Sequence, residues 1–521
     1  MYIAPSTNVK ILHNVPLDNT YDHTLYFADA TAQATYFAGL TKYNLTNYTY
    51  QRVNKGIIRV SGKADNYYDC NYMMFQNTNF GTKWFYAFIT SVEYINNETT
   101  EITFEIDVIQ TWLFDAHVEE CFIERQHSLS DAIGDNIVPE TLATGEYVFN
   151  DYNPVTLATS DMLVCLAIVD VDGASSGNLY DGIYGSAELY VYDSTDVTNI
   201  NDKVNTYAQK PDAIISMYMI PKILIPTIPA DHKVLYAAGG SPTPINSIPA
   251  IAKTMDLDGY TPKNAKMYTY PYSYYHVDNG SGQELALRYE FFDNLTPVLI
   301  ITGTITQPVT LDLRPASYKG MPSYSSLAGY TTLNTEAIQI TSYPLCSWNV
   351  DSYQAWIAQN SIPLALNTAS QLGNTLIASQ YSAHPEASAI SGTIGVAANL
   401  LSQIYTASIQ ADMSRGNFNN GGVNVANGKQ HFYGGRVSVS AQYAKMIDDF
   451  FTMYGYAVKA IGRINTHSRP HWNYVKTVGC CLTGSIPSDD VQRICSIYDR
   501  GITFWQSGNE VGNYSLDNRP S

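Results

Sequence analysis

The alternation of apolar and polar positions is clearest near the N-terminus. From Ile102 to Val108, the residues Ile102, Phe104, Ile106 and Val108 alternate with Thr103, Glu105 and Asp107. A period of two is that of a strand with one buried face. Two aromatic runs precede it, Tyr72-Met73-Met74-Phe75 and Trp84-Phe85-Tyr86-Ala87-Phe88. Asn77, Asn79 and Gly81 between them read as a turn, and Asn96-Asn97 reads as the next. Together these predict an antiparallel meander that is complete near Arg125. Further strands are expected over Met162–Val171, ending at Asp172-Gly173, and over Val298–Ile305. Irregular spacing and many Pro, Gly and Tyr residues between 127 and 345 predict β-sandwich or barrel lobes.

The period changes in the last third. Ile362, Leu366, Ala369, Leu372 and Leu376 recur at steps of four and three, as do Ile390, Ile394, Ala397, Leu401 and Ile404. That is helical spacing. Ser361 can cap the first run, and Pro385 separates the two. The pattern predicts a helical hairpin over about 361–413. Arg415 to Gly435 reads as loop because of its Gly and Asn pairs. Arg436 to Tyr443 then alternates as a strand through Val437, Val439 and Ala441. Met446, Ile447, Phe450, Phe451 and Tyr454 follow at helical spacing, with Gly455 as C-cap. A last helix is expected with Ser488 as its cap, Asp489 and Asp490 at its positive end, Val491, Ile494 and Tyr498 inward, and Gly501 as its stop. Ile502 to Trp505 is expected to be a closing strand.

Composition adds to this picture. Of 521 residues, 45% are hydrophobic and only 15% charged, while 42 are tyrosine. Such a chain is not disordered, and its Tyr, Thr, Val and Ile content favours β structure. The fold class expected is mainly β, a multi-domain sandwich or barrel protein with an inserted helical hairpin. The domains expected are an N-terminal β domain over 1–127, middle β-rich lobes over 128–350, a low-charge hydrophobic loop over 351–435, and a C-terminal α+β segment over 436–521. Between Asp351 and Asp412 the sole charged side chain is Glu386, where the chain-wide fraction predicts about nine. Half of those residues are hydrophobic, and the rest are mostly Ser, Thr, Asn, Gln and Gly.

Two readings of that segment stand side by side. It can be a packed helical pair, or a membrane-active loop whose small residues, such as Gly392, Gly395, Ala397 and Ala398, let helices approach closely in lipid. On the second reading the side chains that act are Ile362, Leu366, Leu372, Leu376, Ile377, Ile390, Ile394, Val396, Leu400, Leu401 and Ile404. Ala389 to Ile409 is just long enough to cross a bilayer core, and its polar content suits a bundle lining a wet pore. No uninterrupted apolar run has the length of a permanent membrane span, and the first residues lack the pattern of a signal peptide.

The net charge is −18, from 29 Lys and Arg against 47 Asp and Glu. Wrapping nucleic acid needs the opposite sign, although an acidic wall lets DNA slide past. The seven cysteines are scattered and odd in number, and read as reduced thiols. Catalytic motifs fail on context. Gly173-Ala174-Ser175-Ser176-Gly177 matches a nucleophile elbow, but turn residues follow where a helix is required. His117, Glu120 and His127 fall in a strand-like run whose neighbours point to opposite faces. His467 and His471 have the spacing of a helical chelate, but Pro470 lies between them. We expect no enzyme activity, no metal and no cofactor.

Several longer strings resemble the distal tail tube, or tail-knob, proteins of small short-tailed phages (podoviruses). These are Met73-Met74-Phe75-Gln76-Asn77, Gly81-Thr82-Lys83-Trp84-Phe85-Tyr86-Ala87-Phe88 and Phe104 through Trp112. The C-terminal Asn473-Tyr474-Val475-Lys476-Thr477, Asp499-Arg500-Gly501-Ile502-Thr503-Phe504-Trp505 and Gly512-Asn513-Tyr514-Ser515 resemble them too. The match covers about 1–127 and 436–521, and the low-charge segment occupies the place of that family's long hydrophobic loop. The resemblance implies a virion protein made in the host cytoplasm and placed at the tail tip as a homohexamer. It implies six loops that plug the lumen and later open a pore in the host cytoplasmic membrane. The implied partners are an upstream tail tube or collar protein, that membrane, and phage DNA passing without specific binding. A receptor- or glycan-binding module built on the Tyr-rich middle is the alternative.

Overall fold

The computed structural model describes residues 6–48, 56–77, 81–155, 162–168, 179–180, 183–184, 188–193, 195–206, 214–225, 227–234, 243–244, 255–280, 282–293, 298–305, 309–319, 336–340, 347–349 and 432–520. The fold is mainly β. The chain divides into two compact units, one of residues 1–146, 259–269 and 439–521, the other of residues 147–258 and 270–438.

The first unit contains a six-stranded sheet in the order Thr41–Tyr48, Thr7–His13, Cys70–Asn77, Phe85–Asn96, Thr99–Ile106, Ile57–Ser61. Its centre is the expected meander, with Tyr72 opposite Phe88 and Phe75 opposite Phe85. The unbroken apolar runs have a physical cause. Tyr72, Met74, Tyr86 and Phe88 enter one core with Trp472, Ile497 and Trp505. Met73, Phe75, Ala87 and Phe104 enter a second core with Val9, Ile11 and Ile102. A strand buried on both faces needs no polar alternate. The strand at Ile102 stops at Ile106, two residues sooner than the alternation suggests. Asp107 caps a short helix there, accepting from the Gln110 N–H at 3.0 Å, so Val108 is helical. A helix absent from the sequence reading, α1 (Ala30–Gly39), is capped by Asp29 and buries only Gln33 and Phe37.

A second sheet of this unit runs His23–Leu25, Ile502–Trp505, Trp472–Val478, Cys121–Gln126, Tyr456–Gly462. It joins chain ends far apart in sequence, since His23–Leu25 pairs parallel with Ile502–Trp505. Two helices complete the unit, Ala441–Tyr454 and Ser488–Arg500. Ala441 opens the first of them, so the expected strand ends at Val439. Gly455 caps it at φ +65° with its N–H on the Phe451 carbonyl, and an added Cβ would strike the Gln126 backbone. The last helix has Asp489 and Asp490 in its first turn and Gly501 as its cap. Ile494, Ile497 and Tyr498 are buried, whereas Val491 is half-exposed and the Ser488 side chain makes no capping bond.

The second unit carries one core spread over three sheets. The expected strands appear as Met162–Ile168, at the centre of a five-stranded sheet, and Val298–Gly303. Gly434 and Gly435, read from sequence as loop, lie inside the strand Phe432–Val439. They are glycines because neighbours press on them: a Cβ at Gly434 would meet the Tyr275 ring, and one at Gly435 the Asp151 carbonyl. The expected hairpin over 361–413 lies outside the described residues.

Candidate functional site

The sequence-predicted membrane-active residues, Ile362, Leu366, Leu372, Leu376, Ile377, Ile390, Ile394, Val396, Leu400, Leu401 and Ile404, all lie outside the described residues. So does the elbow-like motif 173–177. The histidine pairs do not converge. His467 stacks on Tyr26 at 4.4 Å and meets Gln506 Oε1 at 2.7 Å, whereas His471 Nδ1 meets Glu510 Oε2 at 3.0 Å. His117 is exposed on a two-residue strand, and His127 is buried. Among the described residues no group of three His, Cys, Asp or Glu side chains is placed to hold a metal ion.

The most elaborate polar arrangement is a buried junction in the first unit. It ties together the strand Cys121–Gln126 and its extension to Glu140, the segment 259–269, the helix Ala441–Tyr454 and the C-terminal residues. Glu140 is 1% exposed at its side chain and accepts from Lys266 Nζ at 2.7 Å, from Arg125 and from the Ala457 N–H at 2.8 Å. Lys266, 2% exposed, also donates to the Val138 carbonyl at 2.8 Å. Burial pulls the Lys266 pKa down, and the Glu140 carboxylate opposes that.

Asp448 is fully buried on the apolar stripe of its helix, between Ala444, Ile447 and Phe451. It accepts from the Tyr260 hydroxyl at 2.8 Å, the Lys263 N–H at 2.7 Å, and the Asn264 N–H and Nδ2 at 3.1 and 2.8 Å. Four donors satisfy the carboxylate, as a buried charge requires. Asp131 accepts from the Tyr456 hydroxyl at 2.5 Å.

His127 is held at both nitrogens. The Tyr474 N–H donates to Nδ1 at 2.8 Å, and Nε2 faces the Thr452 carbonyl at 3.1 Å. The first contact requires a lone pair on Nδ1 and the second a proton on Nε2, so the ring is the neutral Nε2–H tautomer. Burial, then the nearby Arg469 charge, push its pKa down to about 3. At the C-terminus Asn518 acts as a strand substitute: Oδ1 accepts from the His471 and Trp472 N–H groups and Nδ2 donates to the Trp472 carbonyl at 2.9 Å.

This arrangement holds segments distant in sequence in one register, and each carboxylate in it is matched by donors. It contains no nucleophile paired with a base. Sequence reasoning missed it because its charges are isolated along the chain. One signal was legible: Asp448 interrupts an apolar helical stripe.

Comparison with known proteins places this architecture. Residues 238–519 match the family described as Bacillus phage phi29 tail knob protein gp9, C-terminal domain. Residues 5–117 match the caudoviral major tail protein N-terminus. The tail knob protein gp9 of Bacillus phage PZA is 27% identical, with 98% of each chain covered. That of Bacillus phage phi29 is 26% identical over the same shares. In structure the chain is similar to the tail knob protein gp12 of bacteriophage C1, with a TM-score of 0.57, 13% identity, and coverage of 98% of this chain and 99% of that one. The last likeness shows the fold. The family match spans more than half of the sequence, and the chain therefore belongs to the tail knob protein gp9 family, whose members are structural components of the virion tail and not enzymes.

Proposed function

We propose that the chain forms a homohexameric tube at the tail tip, plugs its lumen before infection, and opens the host cytoplasmic membrane for genome passage. The observation that carries the membrane step is the single charge, Glu386, between Asp351 and Asp412. Apolar loops sheltered in a lumen avoid the aggregation that exposed patches cause, and their release turns hidden area into membrane affinity. The side chains assigned to that step are Ile362, Leu366, Leu372, Leu376, Ile377, Ile390, Ile394, Val396, Leu400, Leu401 and Ile404. The net charge of −18 suits a conduit that DNA crosses without sticking. Neighbouring partners on this reading are an upstream tail tube or collar protein and, transiently, the membrane. Deleting 361–410 should leave a hexamer that no longer releases dye from liposomes. Equal release by the deletion variant would remove the loop from the mechanism.

A second reading, glycan binding by the middle of the chain, draws on exposed rings in the second unit. Tyr147, Phe149, Tyr152 and Tyr270 are 42 to 52% exposed, and Tyr152 stacks on Tyr433. Flat rings at a sheet surface are the chemistry on which sugars stack. A glycan array probed with the full chain and with Tyr152→Ala should show a hit lost in the variant. An array with no hit would remove this reading.

A further inference from the structure

We propose that the cavity beside Arg469 is a binding site for one small inorganic anion of the size of chloride or bromide. The side chain is deeply buried, at 3% residue exposure. Its Nη1 donates to the Asn518 carbonyl at 3.3 Å, while Nε and Nη2 are buried with no hydrogen-bond partner. A buried guanidinium with two idle nitrogens, carrying three N–H groups, is costly unless something accepts from them. Among the described residues it has no carboxylate within 4.0 Å, and the Asp131 carboxylate, which feels its charge, is bonded to the Tyr456 hydroxyl.

The cavity is lined by Lys263, Arg469 and Arg519 against one carboxylate, Asp517, with His127, Asn264, Thr452 and Asn518 completing the wall. Three cations against one acid is the reverse of the whole chain, where Asp and Glu outnumber Lys and Arg 47 to 29. Asp517 is also bound on both oxygens by Arg519, through Nε at 2.9 Å and Nη2 at 2.6 Å. The Lys263 ammonium at the mouth is 3.9 Å from Asp449 and half-exposed.

Two acceptors of the wall already take two donors each. The Thr452 carbonyl takes His127 Nε2 and Trp472 Nε1, and Asn518 Oδ1 takes two backbone N–H groups. Asn264 Oδ1 lies 3.1 Å from the Tyr456 oxygen, whose one proton goes to Asp131. A water bound to Arg469 would have to place both of its own protons on a wall whose Thr452 carbonyl and Asn518 Oδ1 are already engaged. An anion has no proton to place. The free volume, about 10 Å³, leaves room for one small particle and no more.

The test is bromide. Crystals of the full-length protein soaked in sodium bromide should show an anomalous peak within hydrogen-bonding reach of Arg469 Nε and Nη2, absent in Arg469→Met. Should that variant fail to fold, Lys263→Ala at the mouth keeps the question open to measurement. The wild-type melting temperature should rise when chloride replaces gluconate at fixed ionic strength. Lys263→Ala should raise the half-saturating chloride concentration about twofold to fivefold. Bromide found only at other surfaces, an ordered water at Arg469, or equal melting in the two salts would overturn the assignment.

Discussion

Two buried titratable residues act in opposite directions on stability. His127 has a folded pKa of about 3, below the ordinary histidine value of 6.5. The unfolded chain takes that proton first. The contribution of the neutral ring is therefore complete above pH 6.5 and falls as pH drops towards 3, by about 1.4 kcal/mol per pH unit. Asp107 is raised from 3.8 to about 6, chiefly by burial, although the Gln110 N–H and the Tyr72 hydroxyl oppose that shift. Its folded state holds a proton more tightly than the unfolded chain. That contribution is complete below pH 3.8 and is lost as pH rises through 6. Between pH 6 and 4 the two offset one another. Asp107→Asn keeps the capping oxygen but removes the titration, so its acid destabilisation should be steeper than wild type over that window. Denaturant midpoints at half-unit pH steps read this directly, and parallel profiles would refute it.

At the scale of elements, the parts legible in the sequence were those whose signals are local. The last helix announces itself through Asp489, Asp490 and Gly501, and the Asn96-Asn97 turn through its own residues. Helix α1 was not legible because its buried face consists of Gln33 and Phe37, which is no stripe. Gly434 and Gly435 misled for a physical reason. Glycine signals either a turn or a close approach, and sequence does not separate the two. The Glu140 junction was beyond reach, since Arg125, Glu140, Lys266 and Ala457 meet from three separate stretches of chain. Removing its carboxylate tests its weight. Glu140→Gln leaves two cations at a buried site without a counter-charge, and should cost about 3–5 kcal/mol. Adding Lys266→Met should return part of the loss, because one uncompensated charge is then gone. Thermal unfolding of the two variants decides it, and a loss under 1 kcal/mol for Glu140→Gln would make the junction incidental.

For the whole molecule, the two ends of the chain meet in one folded unit. His23–Leu25 pairs with Ile502–Trp505, and Trp472 and Trp505 sit with Tyr72 and Phe88 in one core. The strings that resembled tail-knob proteins are thus the residues that build one folded unit from both termini. The most direct measurement takes one sample of the full chain and reads its assembled mass by mass photometry beside liposome dye release across pH. The account predicts hexamers that release dye under at least one condition. Hexamers that never release dye would contradict the membrane step, and a protein that stays monomeric throughout would contradict the tube itself.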